Sequence, residues 1–185
     1  KLKFDDKISK FLDSELMDGL HIYRNEDYSN EITIKHLLMQ TSGLNDVFYH
    51  LLRKISKDKS FKPTTREAIF WGKENLKPLA IPGKKHFYTD TNYHLLGLII
   101  ESIAKKPFHK VVHELIFNPL NMNNSYMYGF SKPKTKPKYP LADFFIDNVN
   151  FKSINGVHEI DYAGGSVCAP LEEFLIFMKY FSTMY

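Results

Sequence analysis

The fold of this 185-residue chain is decided by the stretch Pro82-Gly-Lys-Lys-His-Phe-Tyr-Thr-Asp-Thr-Asn-Tyr-His-Leu-Leu-Gly97, which continues as Leu-Ile-Ile-Glu-Ser-Ile-Ala104. The Pro-Gly pair at its start is typical of a turn. A helix is predicted to begin at Thr89 or Asp90, since either side chain can accept a hydrogen bond from the first helical turn. Nearly every face of this helix is apolar, through Leu95, Leu96, Leu98, Ile99, Ile100 and Ile103. Such a helix is buried in a larger body, so we expect the chain to pack around it.

Tyr88 and Asp90 stand at the start of this helix. Alternate residues of an extended segment point to the same side, so the phenol and the carboxylate are predicted to lie next to each other, where a site could open. The alternative is that Tyr88 packs at the surface and Asp90 only caps the helix. These two residues alone leave both interpretations open.

Three shorter helices are predicted before this stretch. Thr33 is the expected N-cap of the first, with Leu37 and Leu38 pointing inward and Gly43 suited to a left-handed helix end. A second helix is predicted from residue 46 to about 57, where apolar side chains recur at helical spacing. The third begins with the capping-box pattern Thr64-Thr-Arg-Glu67.

After the central helix, Pro107 is expected in the first turn of another helix. The predicted inward-facing side chains of that helix are Phe108, Val111, Val112, Leu115 and Ile116. Residues 141–151 are ambiguous between a short helix and irregular structure, residues 157–160 are predicted as a short strand, and Gly164-Gly165 as a tight turn. An amphipathic helix is predicted from Pro170, with an apolar face of Leu171, Phe174, Leu175, Phe177 and Met178.

The composition is that of an ordinary globular protein, with 43% hydrophobic and 15% aromatic residues. No apolar run reaches the roughly 18 residues that a membrane-spanning helix needs. Lysine and proline alternate in residues 131–138, which predicts an exposed extended loop. Without interleaved aromatic residues or a basic helix face, this loop does not indicate a nucleic-acid partner. The single Cys168 excludes an internal disulfide and is expected to be ordinary packing.

Several stretches together resemble successive blocks of the serine β-lactamase and penicillin-binding-protein-like family, in its branch of class C β-lactamases, D-alanyl-D-alanine carboxypeptidases and esterases. They are residues 2–12, 32–44, 82–103, 116–122 and 163–174. The resemblance covers most of the chain, and the blocks occur in the family's order. It implies an α+β β-lactamase/transpeptidase-like fold, of which residues 1–185 are the helical region of a single partial domain. Few short strands are expected, because most of the flanking antiparallel sheet would be missing.

Enzymes of this family use three catalytic elements: Ser-x-x-Lys, Tyr-x-Asn or Ser-x-Asn, and a Lys-Thr-Gly or His-x-Gly strand. The resemblance matches only the second element, through Tyr88-Thr89-Asp90. It implies that Tyr88 is the acid/base residue and that position 90 contacts substrate. Asp90 departs from the family's Asn, because an ionised carboxylate cannot donate a hydrogen bond and repels a carboxylate-bearing substrate. The other two elements are expected outside these 185 residues, so the chain is interpreted as an internal fragment.

The implied function is a serine hydrolase that forms an acyl-enzyme with an ester, peptide or β-lactam carbonyl. No cofactor is expected, and the resemblance implies an extracytoplasmic location. The fragment alone is expected to be inactive, with Tyr88 titrating as an ordinary phenol because the catalytic lysine is missing. The alternative is a non-catalytic binding or sensor relative that keeps the fold. Association through exposed apolar surface is also predicted, because the helical region would lack its sheet.

Other candidate motifs are rejected. The strings Ser56-Lys-Asp-Lys59 and Ser131-Lys-Pro-Lys134 match Ser-x-x-Lys but lie in charged stretches, whereas the family's nucleophile needs a buried helix on which the lysine loses solvation. His109 and His113 are one helical turn apart. No Glu lies between them as in a zinc protease and no third ligand is evident, so no metal site is predicted.

Overall fold

The computed structural model describes residues 2–58, 60–146 and 148–183, and most of its regular structure is helical. The α-helices are α1 (Ser14–Met17), α2 (Ile34–Leu38), α3 (Phe48–Lys57), α4 (Thr65–Asn75), α5 (Asp90–Ala104), α6 (Phe108–Val112), α7 (Val157–Gly165) and α8 (Leu171–Ser182). A π-helical turn continues α6 over His113–Phe117, and single 3-10 turns occupy Ile8–Lys10, Ser29–Glu31 and Phe151–Ser153.

The strands are two residues long and form small antiparallel sheets. They are β1 (Ile22–Tyr23), β2 (Glu26–Asp27), β3 (Tyr126–Met127), β4 (Phe145–Ile146), β5 (Val149–Asn150) and β6 (Val167–Cys168). In the part of the chain that the structure describes, β1 pairs with β2, β3 with β6 and β4 with β5. This confirms the prediction of a mainly helical chain with few short strands. That residues 1–185 form a single partial domain stays a prediction.

Helix α5 lies at the centre of the fold and packs against α2, α4, α6 and α7. Leu95 and Ile99 on α5 are fully buried, in a core that includes Leu16 and Leu37. A second core lies between α3, α4 and α7. The burial of Leu95 and Ile99 confirms the expectation that the chain packs around this helix, although Ile103 near its end is 52% exposed.

The predicted helix starts are confirmed by their hydrogen bonds. Thr89 is the N-cap of α5, and its side chain accepts a hydrogen bond from the backbone N–H of Thr91. Thr33 caps α2 and Thr64 caps α4, each in a reciprocal capping box with the side chain three residues later. These capping patterns can be predicted from sequence because both hydrogen-bond partners lie within one helical turn of each other.

Two expectations for the first short helix are wrong. Leu38 is 43% exposed, whereas Leu37 is fully buried. Helix α2 ends at Leu38, and Gln40 takes the left-handed conformation just after it, with φ of 56°. Gly43 also has a positive φ of 77°, but it lies in the loop beyond the helix. Adjacent side chains of an α-helix point about 100° apart, so the face that buries Leu37 leaves Leu38 exposed.

The inward-facing stripe predicted after Pro107 is correct for Val111 and Val112, which are buried, but wrong for Leu115, which is 72% exposed. The cause is the π-helical turn over His113–Phe117. Its hydrogen bonds run from i to i+5, so the 3.6-residue period no longer predicts which side chains face the core.

Residues 157–160 are not a strand, because they begin helix α7. The buried Val157 and Ile160 have the i, i+3 spacing of a helix face. Gly164 and Gly165 end the segment Val157–Gly165, beyond a kink at Tyr162 where the backbone leaves the helical conformation. Residues 141–151 are neither helix nor fully irregular, since they contain the β4–β5 pair.

Helix α8 forms as predicted, and Phe177 of its apolar face packs against the buried cluster of Val112, Phe117, Met122 and Met127, but the rest of that face does not enter the core. Leu171, Phe174, Leu175 and Met178 are between 46% and 69% exposed. The helix is also held by Glu173, which is 7% exposed. Its carboxylate accepts hydrogen bonds from the backbone N–H of Asn124 at 2.9 Å and from the Ser125 hydroxyl at 2.6 Å.

The exposed side of α8 leads to a prediction about association. We expect the protein to self-associate at high concentration through this side, because large exposed apolar patches favour contact with other surfaces. Leu175→Lys should lower the average mass measured by light scattering. Leu79→Lys is the matched control, because Leu79 is also exposed, at 42%, but lies away from α8. A monodisperse monomer for the unaltered protein would contradict the prediction.

Across the described ranges, no helix combines the length and apolar character needed to cross a lipid bilayer.

Candidate active site

A cavity of about 420 Å³ opens beside the start of α5. It lies between that helix, the end of α7 and the β4–β5 pair, and Phe48 and Tyr49 of α3 form part of its wall. The polar side chains that line it include Tyr88, Asp90, Tyr128, Asp161 and Ser166. The structure therefore brings both sequence-predicted site residues, Tyr88 and Asp90, to one cavity.

A buried polar network fixes the start of α5. Asn92 accepts a hydrogen bond from the Ser42 hydroxyl at 2.6 Å and donates one to the side-chain oxygen of Gln40, also at 2.6 Å. The same Gln40 oxygen accepts the backbone N–H of Thr89 at 3.0 Å. Residues 40–42 thus hold the segment that carries Tyr88, because each of these buried polar atoms loses its partner if the segment shifts.

The loop before α3 provides a second anchor. The Thr91 hydroxyl donates to the backbone carbonyl of Asn45 at 2.9 Å. The Asp46 carboxylate accepts the backbone N–H of Asp90 at 3.1 Å. A carboxylate at a helix N-terminus also interacts favourably with the helix dipole. Asp46 therefore helps to hold the backbone of Asp90, and Thr89 rather than Asp90 supplies the side-chain cap.

Tyr88 and Asp90 point to the same side, as predicted, and the Tyr88 hydroxyl donates to Oδ1 of Asp90 at 3.0 Å. The expectation that Tyr88 titrates as an ordinary phenol is wrong. Partial desolvation, the negative charge of Asp90 and the hydrogen bond to it together raise the pKa of Tyr88 to about 12. A nearby cation is therefore needed before this phenol can act as a base at neutral pH.

Burial raises the pKa of Asp90 above the ordinary aspartate value, and the charge of Asp46 acts in the same direction. The hydrogen bond from Tyr88 opposes this shift because it stabilises the ionised carboxylate. Asp90 is thus a half-buried carboxylate whose side chain has a phenol as its partner.

Asp161 also lines the cavity, and the sequence prediction missed it. It lies in the middle of α7, just before the kink at Tyr162, and accepts a hydrogen bond from the buried Ser166 hydroxyl at 3.3 Å. Burial raises the pKa of Asp161 to about 6, with the Asp90 carboxylate adding to the shift. The next residue, Tyr162, has φ of 36° and ψ of −117° inside the helix. No local sequence pattern indicates Asp161. The sequence predicts a strand over residues 157–160, which ends just before it.

Among the described residues, neither Ser56 nor the string Ser131–Lys134 lines the cavity. Ser56 is exposed and donates to the backbone carbonyl of Arg53 at 2.9 Å, while Lys59 lies outside the described residues. Ser131 lies 2.9 Å from the Nε2 atom of His113 and accepts the backbone N–H of Met127 at the same distance. Neither serine is placed to attack a molecule bound beside Tyr88.

The remaining candidates have packing contacts. His109 stacks on Phe130, and His113 packs edge-on against Phe117. Among the residues that the structure describes, no three His, Cys, Asp or Glu side chains are grouped to hold a metal ion. Cys168 lines the cavity, but burial raises the pKa of its thiol and so disfavours the reactive thiolate.

Comparisons with known proteins find similar chains and similar folds. Protein flp of Staphylococcus aureus (strain COL) is 31% identical over 145 residues, which are 78% of this chain and 26% of that protein. The octameric penicillin-binding protein homologue from Pyrococcus abyssi superposes with a TM-score of 0.70 at 22% identity, over 97% of this chain and 39% of that one. The D-stereospecific amidohydrolase from a Streptomyces species superposes with a TM-score of 0.68 at 20% identity, over 96% of this chain and 53% of the amidohydrolase chain.

The structural matches confirm the predicted fold class, a partial β-lactamase/transpeptidase-like fold. The chain spans only about a quarter of the length of the curated relative. The family model described as Beta-lactamase matches residues 1–138, which is most of the sequence. From this match and the shared fold, the chain belongs to the Beta-lactamase family.

Proposed function

We propose that the protein carrying this chain is a serine hydrolase that forms an acyl-enzyme with an ester, peptide or β-lactam carbonyl. The observation that supports this most directly is the placement of Tyr88. Its hydroxyl lies at a cavity of about 420 Å³ beside the start of the buried helix α5. A chain of this family with a phenol in that position has a group suited to proton transfer.

In this proposal Tyr88 carries a proton between the nucleophile and the leaving group. Its raised pKa keeps the phenol protonated at neutral pH unless a cation is close. A lysine beside the phenol would stabilise the phenolate and lower that pKa. Because neither Ser56 nor Ser131, the serines of the two Ser-x-x-Lys strings, lines the cavity, the proposal assigns the serine and its lysine to sequence outside these 185 residues. The 185-residue chain alone is expected to be inactive.

Asp90 is proposed to contact the substrate or to orient Tyr88. Its carboxylate lines the cavity and accepts the Tyr88 hydrogen bond, so it can hold the phenol in one orientation. An ionised carboxylate disfavours a substrate carboxylate at the same place. Asp90 therefore favours ester or amide substrates over penicillins within the proposed reaction class.

The test uses the full-length protein with a short-chain nitrophenyl ester, a chromogenic cephalosporin and a fluorophosphonate label. We expect ester turnover and labelling of one serine, because an acyl-enzyme requires an activated serine. Turnover of neither substrate, together with no labelling, would overturn the proposal. That result would favour the alternative of a non-catalytic binding relative that keeps the fold.

A further inference from the structure

Two carboxylates lie against the same glycine pair in the cavity wall. A Cβ atom on Gly164 would be 3.1 Å from Oδ1 of Asp90, and one on Gly165 would be 2.9 Å from Oδ1 of Asp161. Both distances are shorter than ordinary van der Waals contact, so larger residues would press on the carboxylates. Because both positions are glycine, no side chain stands between either carboxylate and the adjacent backbone.

Neither carboxylate forms an ion pair within the described ranges. Asp90 accepts from the Tyr88 hydroxyl and Asp161 from the Ser166 hydroxyl, both neutral groups. Lys152 also lines the cavity, but its ammonium group lies 2.8 Å from the Asp143 carboxylate and donates to the backbone carbonyl of Leu141. Burial is the main cause of the raised pKa of both carboxyl groups; the charge of Asp46 adds to the shift at Asp90, and the charge of Asp90 adds to the shift at Asp161.

Aromatic side chains form much of the remaining wall. Phe48, Tyr49, Tyr88 and Tyr128 line the cavity with the two carboxylates. The face of an aromatic ring attracts cations through its quadrupole. This feature is independent of the carboxylates and favours the same kind of ligand. A primary ammonium group has three donors for carboxylate oxygens, and its carbon substituents can pack against the rings.

We propose that Asp90 and Asp161 are specificity-determining residues that select substrates whose acyl part carries a protonated primary amine. The inference rests on the proposed function, because it places the acyl group of the substrate in this cavity. The carboxylates attract the ammonium group and repel a substrate carboxylate. Esters or amides of amino acids with a free amine therefore fit the site better than N-acylated or carboxylate-bearing analogues.

The experiment measures binding, so that it does not depend on turnover. The probes are 2-phenylethylamine and its neutral isostere 2-phenylethanol, titrated into the protein while its NMR chemical shifts are followed. We expect the amine to bind at least about tenfold more tightly, the effect of roughly 1.4 kcal/mol of favourable electrostatics. The preference should fall in Asp161→Asn and be lost in the Asp90→Asn, Asp161→Asn double variant, while the alcohol still binds.

The matched control is Asp18→Asn, which makes the same charge change at an exposed position outside the cavity. It should keep the full preference for the amine. Equal binding of the two probes, no binding of the amine, or a preference that survives the double variant would each overturn the inference. The proposed function is tested by a different experiment. If it is wrong, ester turnover and serine labelling are both absent, whatever the result of this titration.

Discussion

Replacing Tyr88 by Phe in the full-length protein is expected to slow acylation by roughly 10² to 10⁴-fold, the usual contribution of a positioned acid/base group. The substitution removes only the hydroxyl, which donates to Asp90 at 3.0 Å. The ring of Tyr88 is 66% exposed, so the stability of the fold should change little. The measurement is the rate of serine labelling or of the ester burst, with the midpoint of denaturant unfolding recorded in parallel.

Tyr139→Phe is the matched control for this experiment. Tyr139 is also exposed, at 70%, but it does not line the cavity beside α5. Its variant is expected to acylate at the unaltered rate. If Tyr88→Phe also acylates at that rate, Tyr88 has no role in proton transfer and serves only as part of the cavity wall.

The second large effect is expected on stability, from Gly43→Ala. Gly43 has φ of 77°, and a Cβ atom there would lie 1.9 Å from the carbonyl oxygen of Ala80. That oxygen also lies 2.9 Å from Nε2 of the buried His21, so it cannot move away without breaking this hydrogen bond. Backbone strain alone costs about 1–3 kcal/mol. With the clash added, we expect the free energy of unfolding to fall by more than about 3 kcal/mol.

Gly19→Ala separates the two causes. Gly19 has a similar φ of 68°, but the nearest atom to an added Cβ is Cδ1 of Ile22 at 3.4 Å. Gly19→Ala should therefore lower the free energy of unfolding only by the strain of the left-handed backbone, without a steric clash. Urea unfolding of both variants gives the difference directly. Equal losses in the two variants would show that the contact with Ala80 is not what makes Gly43 necessary.

The parts of the fold that could be predicted from sequence depend on contacts within one or two helical turns. The caps at Thr33, Thr64 and Thr89 are all present, because each cap joins atoms only two or three residues apart. The side-by-side placement of Tyr88 and Asp90 followed from the same short-range geometry. The burial of α5 followed from its composition alone.

The parts that could not be predicted depend on distant contacts or on a change in helix period. Leu115 is exposed because the helix becomes π-helical, a change that no sequence pattern predicts. Asp161 reaches the cavity only because α7 packs against α5, some 60 positions earlier in the sequence. Its environment, rather than its residue type, gives it a pKa of about 6. Local patterns contain no information about such long-range burial.

The polar network around Gln40 also constrains the order of folding. It joins Ser42 to Asn92, which are 50 residues apart, and Gln40 to Thr89, which are 49 apart. Closing a loop of this length loses chain entropy before any contact forms, and distant contacts of this kind slow folding. Helix α5 can form early from its own sequence. The position of Tyr88 is fixed only after residues 40–46 pack against the start of the helix. We therefore expect amide hydrogen exchange during refolding to protect the middle of α5 before its first turn.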